Sequence, residues 1–209
     1  MRNRFDEQLH LLDEQLTQMG ELCEAAIAKT TKALESSDRE QAKAIITEDE
    51  EIDQLEKDIE RLCLKLLLQQ QPVAKDLRRI SAALKMITDM ERIGDQTSDI
   101  AEIILSSKDW APADEDIHVI GKMASEVSKM VRNSVTAYVK KDLELARDVM
   151  KADDAIDEYF EEVRDEMIDF IKEEKGKNGK KIFDLIMVTK YLERIGDHAT
   201  NIAEWVEFS

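Results

Sequence analysis

The chain has 209 residues, a formal net charge of −17 and 43% hydrophobic residues. That apolar share is enough for a core and excludes an acidic disordered tail. The charge repels phosphate backbones and anionic headgroups, which argues against nucleic-acid binding and against contact with a membrane except through another protein.

With only two prolines and six glycines, the composition predicts long helices. The first runs from about Asp6 to Glu35, with Leu9, Leu12, Leu16, Met19, Cys23 and Ala26 recurring by threes and fours. Ser36-Ser37-Asp38 ends it and offers an N-cap to a second helix, about Asp38 to Gln70, carrying Ile45, Ile52, Leu55, Ile59 and Leu66. Pro72 turns the chain into a third, about Lys75 to Ser106, whose seam reads Ile80, Leu84, Ile87, Glu91, Gly94, Ser98 and Ala101. The stretch Ser106 to Asp116 reads as a linker, and three further helices follow: one to about Val139, one from Asp142 to about Glu174, and one from about Gly179 to Phe208. The fold class expected is all-α, two tandem up-down-up three-helix bundles, spanning residues 1–108 and 109–209. Cys23 and Cys63 read as small core hydrophobes, and the early charges of MRNRFDEQLHLL do not read as a signal peptide. A soluble cytoplasmic protein is expected.

The two halves share more than length. Met90–Glu102, MERIGDQTSDIAE, returns as Leu192–Glu204, LERIGDHATNIAE, and Ile52-Asp53 returns as Ile156-Asp157. Each copy sets a glutamate and an aspartate four apart, Glu91 with Asp95 and Glu193 with Asp197, on one helical face. The helix before it carries its own pair, Asp49 with Asp53 and Asp153 with Asp157. At 1.5 Å per residue, Asp53 lies roughly 23 Å down its helix and Glu91 roughly 24 Å up the next, so the pairs meet at one height. The strip continues through Asp99 on the third helix, matched by Asn201 on the sixth.

Gathered carboxylates repel, and a multivalent cation is a direct remedy: oxygen ligands suit Mg²⁺, Ca²⁺ or Mn²⁺, and iron in carboxylate-bridged clusters. The plain alternative is a solvated face, since 47 acids give many i,i+4 pairs by chance and Arg92 and Arg194 stand within reach as ion-pair partners. Repetition in both halves, with Gly94 or Gly196 inside each copy, favours metal ions held by Asp49, Asp53, Glu91, Asp95, Asp99, Asp153, Asp157, Glu193, Asp197 and Asn201. Glu7 with His10 and Glu115 with His118 have the Glu-x-x-His spacing of di-iron bundles but fall near helix starts, far from the acid level. His198 is a candidate ligand in the second half alone. No phosphate loop or nucleophile motif is present, so no enzyme is expected.

The paired ERIGD motifs, the Ile-Ala-Glu that follows and the QQQPVAKDLR turn resemble the PhoU family over essentially the whole chain. The resemblance implies a cytoplasmic, non-enzymatic regulator that acts with the Pst phosphate ABC transporter and a PhoR-type sensor kinase. It implies negative regulation of phosphate-starvation genes, a tendency to form homodimers, and E/D-x-x-x-D motifs holding metal clusters, of iron or of Zn, Mg, Mn or Ca. Asn201 departs from that acid pattern. Two other readings stay open, a carboxylate-bridged metalloenzyme and a metal-free helical scaffold.

Overall fold

The computed structural model describes residues 2–69, 72–107, 114–173 and 178–209. Parts of the turn after the second helix, of the linker and of the glycine-rich loop EKGKNGKK lie outside those residues. The helices are α1 (Arg2–Ser36), α2 (Arg39–Gln69), α3 (Ala74–Ser106), α4 (Asp114–Lys140), α5 (Leu143–Glu173) and α6 (Gly179–Phe208). The all-α expectation holds, with boundaries near those read from the periodicity.

The turns α1–α2 and α4–α5 are built alike. Ser37 and Lys141 take left-handed backbone, at φ 53° and 57°. The following amides reach back to the helix end, Asp38 to the Ala33 carbonyl at 3.1 Å and Asp142 to Ala137 at 2.9 Å. The same two aspartates then cap the next helix, Asp38 Oδ1 accepting from Glu40 and Gln41 amides and Asp142 Oδ1 from Leu145, all at 3.0 Å. The C-terminus of α3 is closed by a side chain from another helix. Arg39 Nη1 donates to the Ser107 carbonyl at 3.1 Å, and its Nη2 to Leu105 at 2.5 Å, setting a cation at the negative end of the helix.

Each helix touches both others in its own half. The halves also join: α1 lies on α4 and α3 on α6, closing a ring of four helices. Among the described residues α2 touches only α1 and α3, and α5 only α4 and α6, so these two are laid on the outside. The core is continuous through the ring, from Leu12, Leu16 and Met19 of α1 to Met123, Val127 and Met130 of α4 and Ile195 and Ile202 of α6. Polar ties cross it. Arg79 of α3 pairs with Asp13 of α1, and the Tyr138 hydroxyl of α4 donates to the Arg79 carbonyl at 2.7 Å. Ser107 Oγ donates to buried Asp184 of α6 at 3.1 Å. No described helix is long and apolar enough to cross a membrane.

A shared core makes the halves one cooperative unit. Leu16→Ala, at a fully buried α1 position, is expected to cost about 2–5 kcal/mol. Urea unfolding should lower the midpoint of a single transition, detected alike by Trp205 fluorescence in the second half and by far-ultraviolet dichroism. Two separated transitions would show that the halves fold independently.

Candidate functional site

On α2 the apolar stripe Ile45, Ile52, Leu55 and Ile59 faces the core, and the acids follow at its edge, where α2 meets α3. Asp49 is drawn furthest in. Its Oδ2 accepts a hydrogen bond from Ser98 Oγ of α3 at 3.0 Å, while its Oδ1 is covered and has no donor. Gly94 makes the room: a Cβ built there would collide with Asp49 Oδ1 and stand 3.1 Å from Ile52 Cδ1. The second half repeats the notch. A Cβ on Gly196 would stand 3.3 Å from both Asp153 Oδ1 and Ile156 Cγ2, and Asp153 Oδ1 again lacks a donor.

Burial, opposed by the Ser98 hydrogen bond and reinforced by Asp95, Asp53 and Asp99, pushes the Asp49 carboxyl from an ordinary 3.8 up to about 6. Asp153 is likewise pushed up to about 6, by burial and then by Asp197 and Asp157, with the Thr200 hydroxyl opposing and Glu193 adding to the rise. Around Asp49 the effect spreads. Burial first, then neighbouring acids, raises Glu91 (with Asp95, Glu56 and Asp53 beside it), Glu56 (with Glu60 and Asp53) and Asp99 (with Glu102 and Asp95). Burial and Asp157 raise Asp197 against the pull of Lys190, His198 and Arg194.

The structure therefore gathers Asp49, Asp53, Glu91 and Asp95 along the α2/α3 seam, with Asp99 at its edge toward Tyr191 and Arg194 of α6, and Asp153, Asp157, Glu193 and Asp197 along α5/α6. Asn201 departs from its expected place. Its amide donates to Asp89 Oδ1 of α3 at 3.1 Å, across the joint between halves, because the antiparallel α3/α6 crossing turns that edge of α6 away from α5. His198 makes the same turn, with Nδ1 at 2.9 Å from the same Asp89 oxygen. His10 pairs with Glu14 at 3.6 Å on the exposed side of α1, His118 is exposed, and the Glu115 side chain lies outside the described set.

Cationic side chains already lean on several of these acids. Arg92 Nη1 lies 2.9 Å from Asp95 Oδ2 and its Nε 3.4 Å from Glu91 Oε2, and Lys57 approaches Asp53 at 3.9 Å. Among the described residues no three His, Cys, Asp or Glu side chains converge on one metal position. The all-oxygen donor set and the donorless Oδ1 atoms match a hard cation; the present convergence does not, and Arg92 would have to swing out for Glu91 and Asp95 to share one. Sequence reasoning missed Ser98 and Thr200, the hydroxyls set against the notch aspartates. The only signal was a small polar residue four places after each glycine.

A duplicated six-helix bundle with acidic seams where its outer helices meet the ring is the class of protein these features define. The PhoU domain model matches residues 16–104 and 120–206. A phosphate-specific transport system accessory protein PhoU homolog of Clostridium acetobutylicum is 36% identical over 97% of this chain and 92% of its own length. The homolog of Aquifex aeolicus is 36% identical over 87% of this chain and 81% of its own. The crystal structure of PhoU from Pseudomonas aeruginosa superposes with a TM-score of 0.91 at 31% identity, covering 97% of this chain and 96% of that one. The phosphate transport system regulatory protein PhoU from Streptococcus pneumoniae gives 0.88 at 28%, over 97% and 94%. The chain belongs to the PhoU family.

The notch sets two expectations. Alanine in place of a helical glycine gains about 1 kcal/mol of helix propensity. Gly94→Ala should nonetheless lose about 1–3 kcal/mol net, because the methyl drives Asp49 and Ile52 apart. Gly196→Ala, with looser contacts, should lose less; equal or stabilising effects in denaturant titrations would refute the close-approach reading. For Asp49 and Asp153 the folded carboxyl holds its proton more tightly than the unfolded one. Their stabilising contribution is fully present below about pH 4 and is lost as pH rises through about 6. The double variant Asp49→Asn/Asp153→Asn should therefore gain stability relative to wild type on going from pH 4 to pH 8, as read by urea unfolding at each pH.

Proposed function

We propose that this chain is a cytoplasmic accessory protein of a phosphate-specific transport system, working by binding and not by catalysis. In this reading it joins the ATPase subunit of a phosphate ABC transporter to a PhoR-type sensor kinase and holds uptake and starvation signalling down when phosphate is plentiful. Full-length likeness to relatives that carry the accessory-protein name supports this most directly. The physical layout agrees with it. The acids line open seams on the outside of the bundle, where a basic partner surface can lie along α2 and α3. Among the described residues the covered seam atoms without a hydrogen-bond partner are acid and hydroxyl oxygens, Asp49 Oδ1 in the first seam and Asp153 Oδ1, Glu193 Oε2 and Thr200 Oγ1 in the second, which suits charge recognition better than group transfer.

The same acids are proposed as cation sites, holding iron or a divalent ion such as Mg²⁺, Mn²⁺, Ca²⁺ or Zn²⁺ once Arg92 releases Glu91 and Asp95. Bound metal would supply positive charge to a desolvated seam, and homodimerisation belongs to the same proposal. The metalloenzyme alternative has no observation here in its favour.

Capture on the immobilised transporter ATPase subunit, in buffers with and without phosphate, tests the adaptor role. Wild type is expected to bind in a salt-sensitive, phosphate-dependent way, and Glu91→Gln/Asp95→Asn to lose about tenfold or more in affinity. Binding that ignores both the substitution and the salt would overturn the α2/α3 seam as the docking face. Failure to bind at either phosphate level would overturn the adaptor role itself.

A further inference from the structure

The two seams, alike in their notch, are unlike in charge. Position for position in the duplication, Phe160 stands where α2 has Glu56, Arg164 where it has Glu60, and Lys190 where α3 has Thr88. These three departures meet at one place. The Lys190 ammonium lies 2.5 Å from Glu193 Oε2 and 5.1 Å from the centre of the Phe160 ring, and the Arg164 guanidinium stands 5.9 Å from the same ring. The Glu193 side chain is 12% exposed and that of Lys190 40%, so the carboxylate end of the pair is shielded while the lysine reaches the surface. A cation held between a carboxylate and an aromatic face is fixed from two sides. Among the described residues the first half has no such arrangement: Arg92, at 53% exposure, leans on Asp95 and Glu91 from solvent, and the cation–ring contacts are those at Phe160.

We infer that the α5/α6 seam carries its own cation, Lys190 seated between Glu193 and Phe160, so that the chain offers one seam to hard divalent ions and not two. This rests on the cation reading of the seams proposed above and says which half takes the ion and why. The logic is competitive. An ion approaching Glu193 and Asp197 must expel an ammonium that is held by the ring as well as by the carboxylate. An ion approaching Glu91 and Asp95 displaces only an exposed guanidinium that water can solvate at once. The change of Asp99 to Asn201, which bonds instead to Asp89, removes one more oxygen anion from the second seam.

The test is a Mn²⁺ titration of full-length, chelator-stripped protein, with free Mn²⁺ counted from its electron paramagnetic resonance signal. Glu91→Gln/Asp95→Asn should abolish the bound fraction, whereas Glu193→Gln/Asp197→Asn should leave it unchanged. Lys190→Met should roughly double the Mn²⁺ held at saturation. Asp197→Asn added to Lys190→Met should cancel that gain, which shows that the new ions sit on the second seam. Lys190→Gln serves as an independent removal of the charge, and thermal unfolding of each variant shows that it is folded. If Lys190→Met and Lys190→Gln gain nothing while wild type binds at α2/α3, the inference falls alone. Equal losses from the two double variants would also overturn it. If wild type and all variants bind no Mn²⁺, the cation reading falls as well.

Discussion

An aspartate half out of water, its helix pressed against a glycine of the next, is the constraint around which each half is arranged. At the α2/α3 seam Asp49 Oδ1 rests where a Gly94 side chain would be, and one hydroxyl, from Ser98, holds the other oxygen. A charged carboxylate in that position is costly, which is why its proton is held to about pH 6. The seam does not form because of Asp49 but in spite of it. Ile45, Ile52 and Ile59 from α2, and Ile87, Met90 and Ile93 from α3, are each 2% exposed or less and supply the favourable burial. The hydrophobic face fixes how closely the helices approach, and the glycine decides that the acid is trapped rather than expelled to the surface.

Duplication then places two such seams on one molecule without letting them touch. Because α3 and α6 lie against each other in the four-helix ring, the outer helices α2 and α5 sit apart and each seam opens outward on its own side. The α3/α6 joint has its own polar contacts, Asp89 with His198 and Asn201. On the other side of the crossing Asp99 and Glu102 face Tyr191 and Arg194, as the upward push on the Tyr191 phenol by burial and those acids reflects. The pseudo-symmetry is thus broken in side chains while kept in backbone. That is the expected result when a duplicated core must keep its packing but its surface is free to diverge.

How much of this was readable in advance follows from what leaves a periodic trace. Helix lengths, the Asp38 and Asp142 caps and the common height of the acid pairs were legible, because caps and 3.6-residue stripes are local patterns. The ring of four was not, since nothing in the spacing of α1 says that its second apolar edge will meet α4 and not solvent. For the same reason Asn201 and His198 were assigned to the wrong neighbours: they share a helix with Asp197 but lie past the edge at which α6 turns toward Asp89. Gly94 and Gly196 were visible as oddities in helix interiors, yet what they accommodate depends on the residue across the seam. Ser98 and Thr200 needed the register between two helices, and sequence alone does not supply it.

The energetic state of the seams connects the structure to a binding role. Burial and then neighbouring acids push up Glu91 (Asp95, Glu56 and Asp53) and Glu56 (Glu60 and Asp53), so the α2/α3 seam stores repulsion that any positive charge arriving from outside relieves. A metal ion and a lysine-rich partner surface act on this stored repulsion in the same way, and either would stabilise the folded chain in proportion to its occupancy. They differ in reach. An ion satisfies oxygens within about 2–3 Å of itself, whereas a protein surface neutralises along the length of the helices. The strip from Asp49 to Glu60 covers roughly 16 Å of α2, longer than one ion can serve, so ion and partner would occupy different parts of it. Their effects would then be coupled through the shared acids: charge supplied at one end lowers the repulsion that draws charge to the other. A chain built this way would respond to its ionic surroundings and its partner together, on the side where no lysine has already taken the place.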